Sequence, residues 1–395
     1  MSQIAGAPLR VASGEMVAAA STAEVQGAVR AAAARGETVR IAGGGTWLSA
    51  GRPVQAASTL SVRPLAGIVE YVPGDLTITA WAGTSLQELD DAVAEHGQWV
   101  ALDPFGSRAG TLGATVATAS SGPLAASFGT PRDVVLGVQC VTGDGEIVNG
   151  GARVVKHVAG FDLVRLMTGA WGTLGVITML TLRLRARAPV DMTFAVSLGA
   201  APLRDWFTQY RGASVAPLAA ELIDARTAAA LGVGDEAVVL VRVSGNDEAV
   251  AAQESALRAL GNVQTVAGDV WGSLAQLDDP APTAALRISH RVAHIVDVWE
   301  QALHLSRDLP DALVHATLER GVARVVLREV TDSELSARLQ APAPTPVACA
   351  RVFEVLPPRH WSRFAPSVVS DPVSVRIQAA FDPDRRLNAG ILGEA

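Results

Sequence analysis

The feature that most constrains this chain is a short apolar segment, Val39-Arg40-Ile41, that runs directly into Ala42-Gly43-Gly44-Gly45-Thr46. Three consecutive glycines allow positive φ and close approach of a ligand to the backbone. Successive amides can then converge on an anion such as a phosphate. No strong helical pattern follows, because the chain continues as Trp47-Leu-Ser-Ala-Gly51. The spacing is not GxGxxG, and the order departs from the dinucleotide fold, in which a helix N-terminus carries the pyrophosphate. On its own the loop reads equally well as a tight turn or as a phosphate cradle.

Two further stretches share its character. Residues 102–123 hold many Gly, Ser and Thr, and end in Ala-Thr-Ala-Ser-Ser-Gly-Pro123. Residues 156–177 end in Gly172-Thr-Leu-Gly175 before the apolar pair Val176-Ile177. Each stretch alone reads as turns in a protein rich in small residues. Three in one region favour a site for a large polar ligand, since such sites need convergent backbone groups and space free of side chains.

The chain has 395 residues, of which 49% are hydrophobic and 18% charged, enough for two domains with cores of their own. A net charge of −7 argues against a broad nucleic-acid-binding surface. Lys156 is the only lysine, and it does not follow a glycine, so a P-loop with its Gly-Lys pair is excluded. The two cysteines, Cys140 and Cys349, form neither a disulfide framework nor a metal knuckle. A reducing cytoplasm is expected. No stretch of about 18 uncharged apolar residues occurs, so neither a signal peptide nor direct membrane insertion is expected. Attachment at the periphery of an inner membrane would come through partners.

Local signals give an α+β pattern. Ser21-Thr-Ala-Glu24 is a capping box for an alanine-rich helix that Gly36 stops. Short strands are expected at 60–62, 67–72 and 76–81, a second helix from Leu86 to His96, strands over 133–142 and 146–149 joined at Gly143-Asp144-Gly145, a helix at 161–167, and a strand over 175–185. Ala186–Pro189 marks a boundary. Beyond it, Ala/Leu/Arg segments alternate with Val-rich strands at 237–243, 322–327 and 348–354.

The order of strand–GGGT, then LDP…GTLG…ATASSGP, then GTPRDVVLGVQCVTGDGEIV, then VKHVAGFDLVRLMTGAWGTLGVIT resembles the FAD-binding PCMH-type (vanillyl-alcohol oxidase) superfamily. The tail Phe381-Asp-Pro-Asp-Arg-Arg-Leu-Asn-Ala-Gly390 resembles the FDP…NPG ending of that superfamily, with Ala389 where proline is usual. VKHVAGFDL and FGTPRD are most similar to the FAD-binding subunits of glycolate oxidases. The resemblance implies a two-subdomain FAD-binding domain over residues 1–187, an α+β cap or substrate domain over 188–375, and a tail, 376–395, that returns to the first domain.

It also implies roles. Ala42, Gly43, Gly44, Gly45 and Thr46 would hold the FAD pyrophosphate. Asp103, Pro104, Gly110, Thr111, Gly113, Ser120 and Ser121 would line the ribityl and isoalloxazine region. Val176 and Ile177 would meet the adenine end through their backbone. The first loop has no His or Cys for a covalent flavin link, so non-covalent FAD is expected.

In the second half, relatives that carry a metal use a His-rich motif, but here Leu313-Val-His315-Ala-Thr-Leu-Glu-Arg-Gly321 lacks the second histidine. His290 and His294 have a metal-like spacing on an expected helix, yet no third ligand lies nearby, so a solvated helix face is expected there and no metal. The roles of these two histidines and of Lys156 stay open. If the chain is catalytic, a small 2-hydroxy acid would lose a hydride to the flavin while His315 takes the hydroxyl proton and Arg287 pairs the carboxylate. A structural arginine and a packed histidine are equally good readings. The alternative for the whole chain is a non-catalytic flavoprotein subunit that relays electrons or scaffolds a complex. Partners implied are a sister flavoprotein and an iron–sulfur subunit, since two cysteines cannot hold a four-thiolate cluster.

Overall fold

The computed structural model describes residues 15–151, 162–277 and 281–393. The Lys156–Phe161 part of the third small-residue stretch lies outside these residues. The expected α+β class holds: eighteen strands among the described residues form four sheets, with helices packed on them.

The first sheet is small and parallel. Strands β1 (Glu15–Ala18), β2 (Val39–Ala42) and β3 (Ser58–Ser61) lie in the order β1-β3-β2. Ser21 caps the helix Thr22–Arg35 by accepting from the Glu24 amide, and the Glu24 carboxylate accepts from Ala20 N–H at 2.8 Å. Gly36, at φ 69°, ends the helix in the left-handed conformation that glycine adopts without strain. Val25, Val29 and Ala32 form its buried stripe, in one cluster with Val39 and Leu60.

The second sheet is antiparallel. Strands β4 (Ile68–Val72) and β5 (Thr77–Trp81) form a hairpin. A short β6 (Gln98–Trp99) follows the helix Leu86–Ala94. Next come β7 (Val135–Val141), β8 (Ile147–Gly151), β9 (Val176–Arg183) and the short β10 (Arg185–Ala186), which pairs with β6. The five-stranded order is β4-β5-β9-β7-β8. The chain end returns to the first sheet: Val39 N–H donates to Arg386 C=O at 2.8 Å, and Asn388 N–H to Val39 C=O at 2.9 Å.

The remaining strands make one eight-stranded antiparallel sheet. They are β11 (Val190–Ser197), β12 (Ala219–Ile223), β13 (Val238–Gly245), β14 (Val263–Val266), β15 (Ala284–Ser289), β16 (Leu313–Thr317), β17 (Val322–Leu327) and β18 (Ala350–Val355). Their order is β14-β11-β13-β12-β16-β17-β15-β18. One face carries the largest apolar cluster, with Leu222, Leu286, Val314 and Val325 packed on Val298, Ala302 and Leu305 of the helix Ile295–Ser306.

Three local expectations need correction. The strand expected over 133–142 begins as a helical turn, Pro131–Val134, because Thr130 and Asp133 form a capping box and Pro131 supplies the φ of a first helical residue. The small-residue stretch 102–123 contains the helix Leu112–Thr118, capped by the Thr111 hydroxyl. His290 and His294 do not share an α-helix. His290 follows β15, its N–H bonded to Gly321 C=O, and His294 ends a single 3-10 turn before Ile295–Ser306. Their rings meet edge to face at 4.4 Å, and no group of three metal-ligating side chains occurs among the described residues.

Candidate functional site: a small-residue cleft and a charged pocket against the cap

A cleft opens where the loop after β2, the helix Leu112–Thr118, the segment leading into β9 and the chain end meet. Of the expected cofactor residues, Ala42, Gly43, Gly45, Thr46, Gly113 and Ile177 line it. The cleft exists because side chains are missing. A Cβ on Gly43 would fall 2.1 Å from Thr111 Oγ1, and one on Gly113 would fall 2.8 Å from Ala82 Cβ. Gly45, at φ 84°, turns the chain in a way that side chains resist.

Thr111 is fully buried behind Gly43, so it shapes the loop from beneath. Gly44 has more room, its nearest neighbours 3.7 Å from an added Cβ. Gly110 is buried in the turn closed by its N–H to Ser107 C=O. Val176 is core, paired with Val141, while Ile177 faces the cleft; β5 pairs with β9 only from Met179 onward, so the stretch at 176–177 has a strand neighbour on one side alone.

Several residues of this cleft escaped the sequence reading. Asn388, in the left-handed region at φ 45°, accepts from Ile41 N–H at 2.8 Å and donates to Trp171 C=O at 2.7 Å. It ties the chain end to both walls. Trp47 and Trp171 meet edge to face at 6.1 Å. Arg40 is the charged residue of the wall, and burial lowers its pKa from the ordinary arginine value. A largely apolar cleft with bare glycine backbone and one half-buried cation in its wall fits a dinucleotide carrying a pyrophosphate.

The remaining expected residues point elsewhere. Asp103 accepts from Gly122 N–H at 3.1 Å and Leu124 N–H at 2.7 Å, fastening the 120–124 loop. Burial, reinforced by the negative charge of Glu221, pushes its carboxyl up to about 7. Pro104 is buried beside Phe105, whose N–H donates to Ser120 Oγ at 3.1 Å. Ser121 faces the cap domain, where its Oγ accepts from Arg320 at 3.3 Å.

That contact opens onto the second half of the site. The strands of the eight-stranded sheet alternate, and the face opposite the helix Ile295–Ser306 carries one polar row. His315 on β16, Arg324 on β17 and Arg287 on β15 are directly in register. Glu221 on β12 and Glu354 on β18 flank them. A lone charged residue in a buried apolar strand must be paired. Glu221 Oε1 lies 2.5 Å from His315 Nδ1, and both side chains are almost wholly buried. Glu354 takes both arginines, Arg324 at 2.6 Å and Arg287 at 2.8 Å.

With Phe105, Ser121, Thr317, Arg320 and Val322, the residues Glu221, His315, Arg287 and Arg324 line a small pocket. Phe105 is its roof from the first domain, 5.5 Å from the His315 ring and 4.2 Å beneath the Arg324 guanidinium. A third cavity shares Thr46 and Trp47 with the cleft and Phe105 and Arg324 with the pocket, so the three hollows share walls. The structure thus brings His315 and Arg287 together. Glu221, Arg320, Arg324 and Glu354 were missed, although the signal was there: AAELI, VARVVL and VFEV each carry one charge among apolar neighbours.

Residues 15–151 match the family of FAD binding domains. FAD, expected from the glycine-rich stretches, is therefore the cofactor of this domain. The chain is 41% identical over 152 residues to the glycolate oxidase subunit GlcE of Escherichia coli strain K12, an alignment covering 38% of this chain and 43% of that protein. It is 34% identical over 170 residues to a D-lactate dehydrogenase of Archaeoglobus fulgidus, covering 43% and 38% respectively. The chain thus matches less than half the length of these curated relatives. The fold extends further. The 4-ethylphenol oxidase of Gulosibacter chungangensis superposes with a TM-score of 0.71 at 16% identity, covering 96% of this chain and 88% of that one. Among the described residues no helix is long and apolar enough to cross a membrane.

Proposed function

We propose that this chain is the FAD-binding subunit of a glycolate oxidase-like 2-hydroxy-acid oxidoreductase, with the flavin held non-covalently. The observation that carries the reading is the His315–Glu221 pair in a pocket walled by residues of the FAD-binding domain. A carboxylate on Nδ1 leaves Nε2 to act as the base, and Nε2 is buried with no protein partner among the described residues. His315 Nε2 would take the hydroxyl proton of a 2-hydroxy acid, and Glu221 would stabilise the resulting imidazolium. Arg287 would help to hold the substrate carboxylate. Phe105 and the buried walls would exclude water. Bound FAD would supply the acceptor for the hydride leaving the substrate Cα.

Ala42, Gly43, Gly44, Gly45 and Thr46 would hold the pyrophosphate, with Arg40 as counter-charge. Gly113 and Ile177 would border the cofactor, and Ser120 and Ser121 would lie where the cofactor meets the substrate. Support for the substrate class comes from the relatives named for glycolate and D-lactate. The name of the Escherichia coli relative, a subunit, supports assembly into a complex; a sister flavoprotein and an iron–sulfur subunit would be the partners, in the cytoplasm.

A second reading is a non-catalytic flavoprotein subunit, and the pairing of both Arg287 and Arg324 with Glu354 favours it. Anaerobic mixing of the purified, flavin-loaded chain with glycolate or D-lactate separates the two. Bleaching by the chain alone supports catalysis. Bleaching that requires the partner subunits supports the second reading. Flavin that stays with acid-precipitated protein would sink the non-covalent assignment.

A further inference from the structure

The turn between β16 and β17 sets one guanidinium apart. Arg287 and Arg324 share Glu354, but among the described residues no carboxylate pairs with Arg320, whose one hydrogen bond is to the neutral Ser121 hydroxyl at 3.3 Å. Arg320 lines the same pocket as His315 Nε2 and Glu221 Oε2, two buried atoms with no hydrogen-bond partner among the described residues. A partly buried cation beside an orphaned acceptor is an incomplete polar cluster, and it lacks an anion that also carries a donor.

The turn is held firmly. On one side Tyr210 donates to Glu319 Oε1 at 2.5 Å. On the other, Gly321 at φ 63° lies so close to His290 that a Cβ would fall 2.4 Å from its carbonyl oxygen. Arg320, between them, therefore leaves from a backbone that cannot swing away.

We propose that Arg320 is the principal receptor for the carboxylate of a small hydroxy acid, with His315 Nε2 meeting the hydroxyl of the same molecule and Arg287 kept mainly on Glu354. This assignment rests on the reading of the pocket as a 2-hydroxy-acid site. It also sharpens that reading, since it requires an anionic substrate whose carboxylate and hydroxyl sit on adjacent carbons.

The test uses the full chain loaded with FAD and oxalate, a small carboxylate that has no Cα hydride to lose. Binding is read by calorimetry and by perturbation of the flavin spectrum. Loss of a charge-assisted bond should weaken oxalate by about 10- to 100-fold in Arg320→Met. Arg320→Lys should fall between that variant and the native chain, because the charge stays and the fork is lost. Arg287→Met should weaken binding less than Arg320→Met does. FAD content and thermal midpoint of the two Arg320 variants should match the native chain.

Native-like oxalate binding by Arg320→Met would overturn the assignment, as would a larger effect from Arg287→Met. Oxalate loss in Arg320→Met that is matched by loss of FAD would assign Arg320 to the domain contact alone, which also overturns it. If the native chain binds oxalate and Arg320→Met does not, yet no 2-hydroxy acid bleaches the flavin, the oxidoreductase reading fails while the receptor stands. If the native, FAD-loaded chain binds no oxalate, the receptor assignment fails.

Discussion

The glycine-lined cleft and the charged pocket are linked through a third cavity, yet they are built by opposite means. The cleft is made by subtraction: glycines at 43, 45 and 113 leave the backbone bare, and an atom added at Gly43 or Gly113 collides. The pocket is made by addition: charged side chains from five strands gather on one sheet face and pair with one another, leaving His315 Nε2 without a partner among the described residues. The first should fail when atoms are added, the second when they are removed. A ligand recognised through backbone needs space, whereas a small anion needs fixed charge.

The largest expected effect comes from removing a member of the pocket. His315→Ala leaves Glu221 buried without its partner and should cost about 3–5 kcal/mol in urea unfolding. A cost under 1 kcal/mol would show that the pair is not held as the structure places it. His315→Ala should also abolish any bleaching by 2-hydroxy acids.

Asp103 sits between the two regions and adds a pH dependence. Its carboxyl, pushed up to about 7 in the folded chain, binds its proton more tightly there than in the unfolded chain, where the ordinary value is 3.8. Stability from this group is therefore present in full below the unfolded value and lost as pH rises through about 7. Across that window the flavin-free chain should lose about 2–4 kcal/mol. Asp103→Asn should flatten the profile, and an unchanged slope in this variant would refute the shift.

Adding one methyl tests the cleft. Gly43→Ala meets Thr111 Oγ1 and should cost about 1–3 kcal/mol with a matching loss of FAD affinity. Gly44→Ala, with its nearest neighbours at 3.7 Å, should be close to neutral in the same titration. Equal behaviour of the two would break the claim that the loop is pressed onto Thr111. The smallest effect is expected from Tyr210→Phe, which removes one hydrogen bond to Glu319 and should cost about 1 kcal/mol by thermal unfolding. Burial, the main cause, raises the Glu319 carboxyl from its ordinary value.

The two regions also differ in how far they could be read beforehand. Ala42–Thr46 and Gly113 were flagged because three small-residue stretches occur together, whereas any one of them alone reads equally well as a turn. The capped helix at Thr22–Arg35 was legible because its signals are local. Ser120 and Ser121 were found as members of the stretch, but only the packed structure turns Ser121 toward Arg320. His290 and His294 misled because a four-residue spacing implies a shared face only on a continuous helix, and here the chain is leaving β15 at His290. Arg287 was chosen for its type, while the fact that Glu354 already holds it depends on a strand 67 positions later in the sequence.

By itself, the sequence determined the glycine-rich binding half, its cofactor class and the exclusion of a P-loop, because each follows from local chain freedom or from a missing residue type. Tertiary structure alone decided which charges meet. Strand register aligned His315, Arg324 and Arg287, and the contact between domains placed Phe105 and Ser121 over them. Pairing of buried charges is a long-range matter: any carboxylate on the facing strands could in principle satisfy an arginine, and only the register selects one.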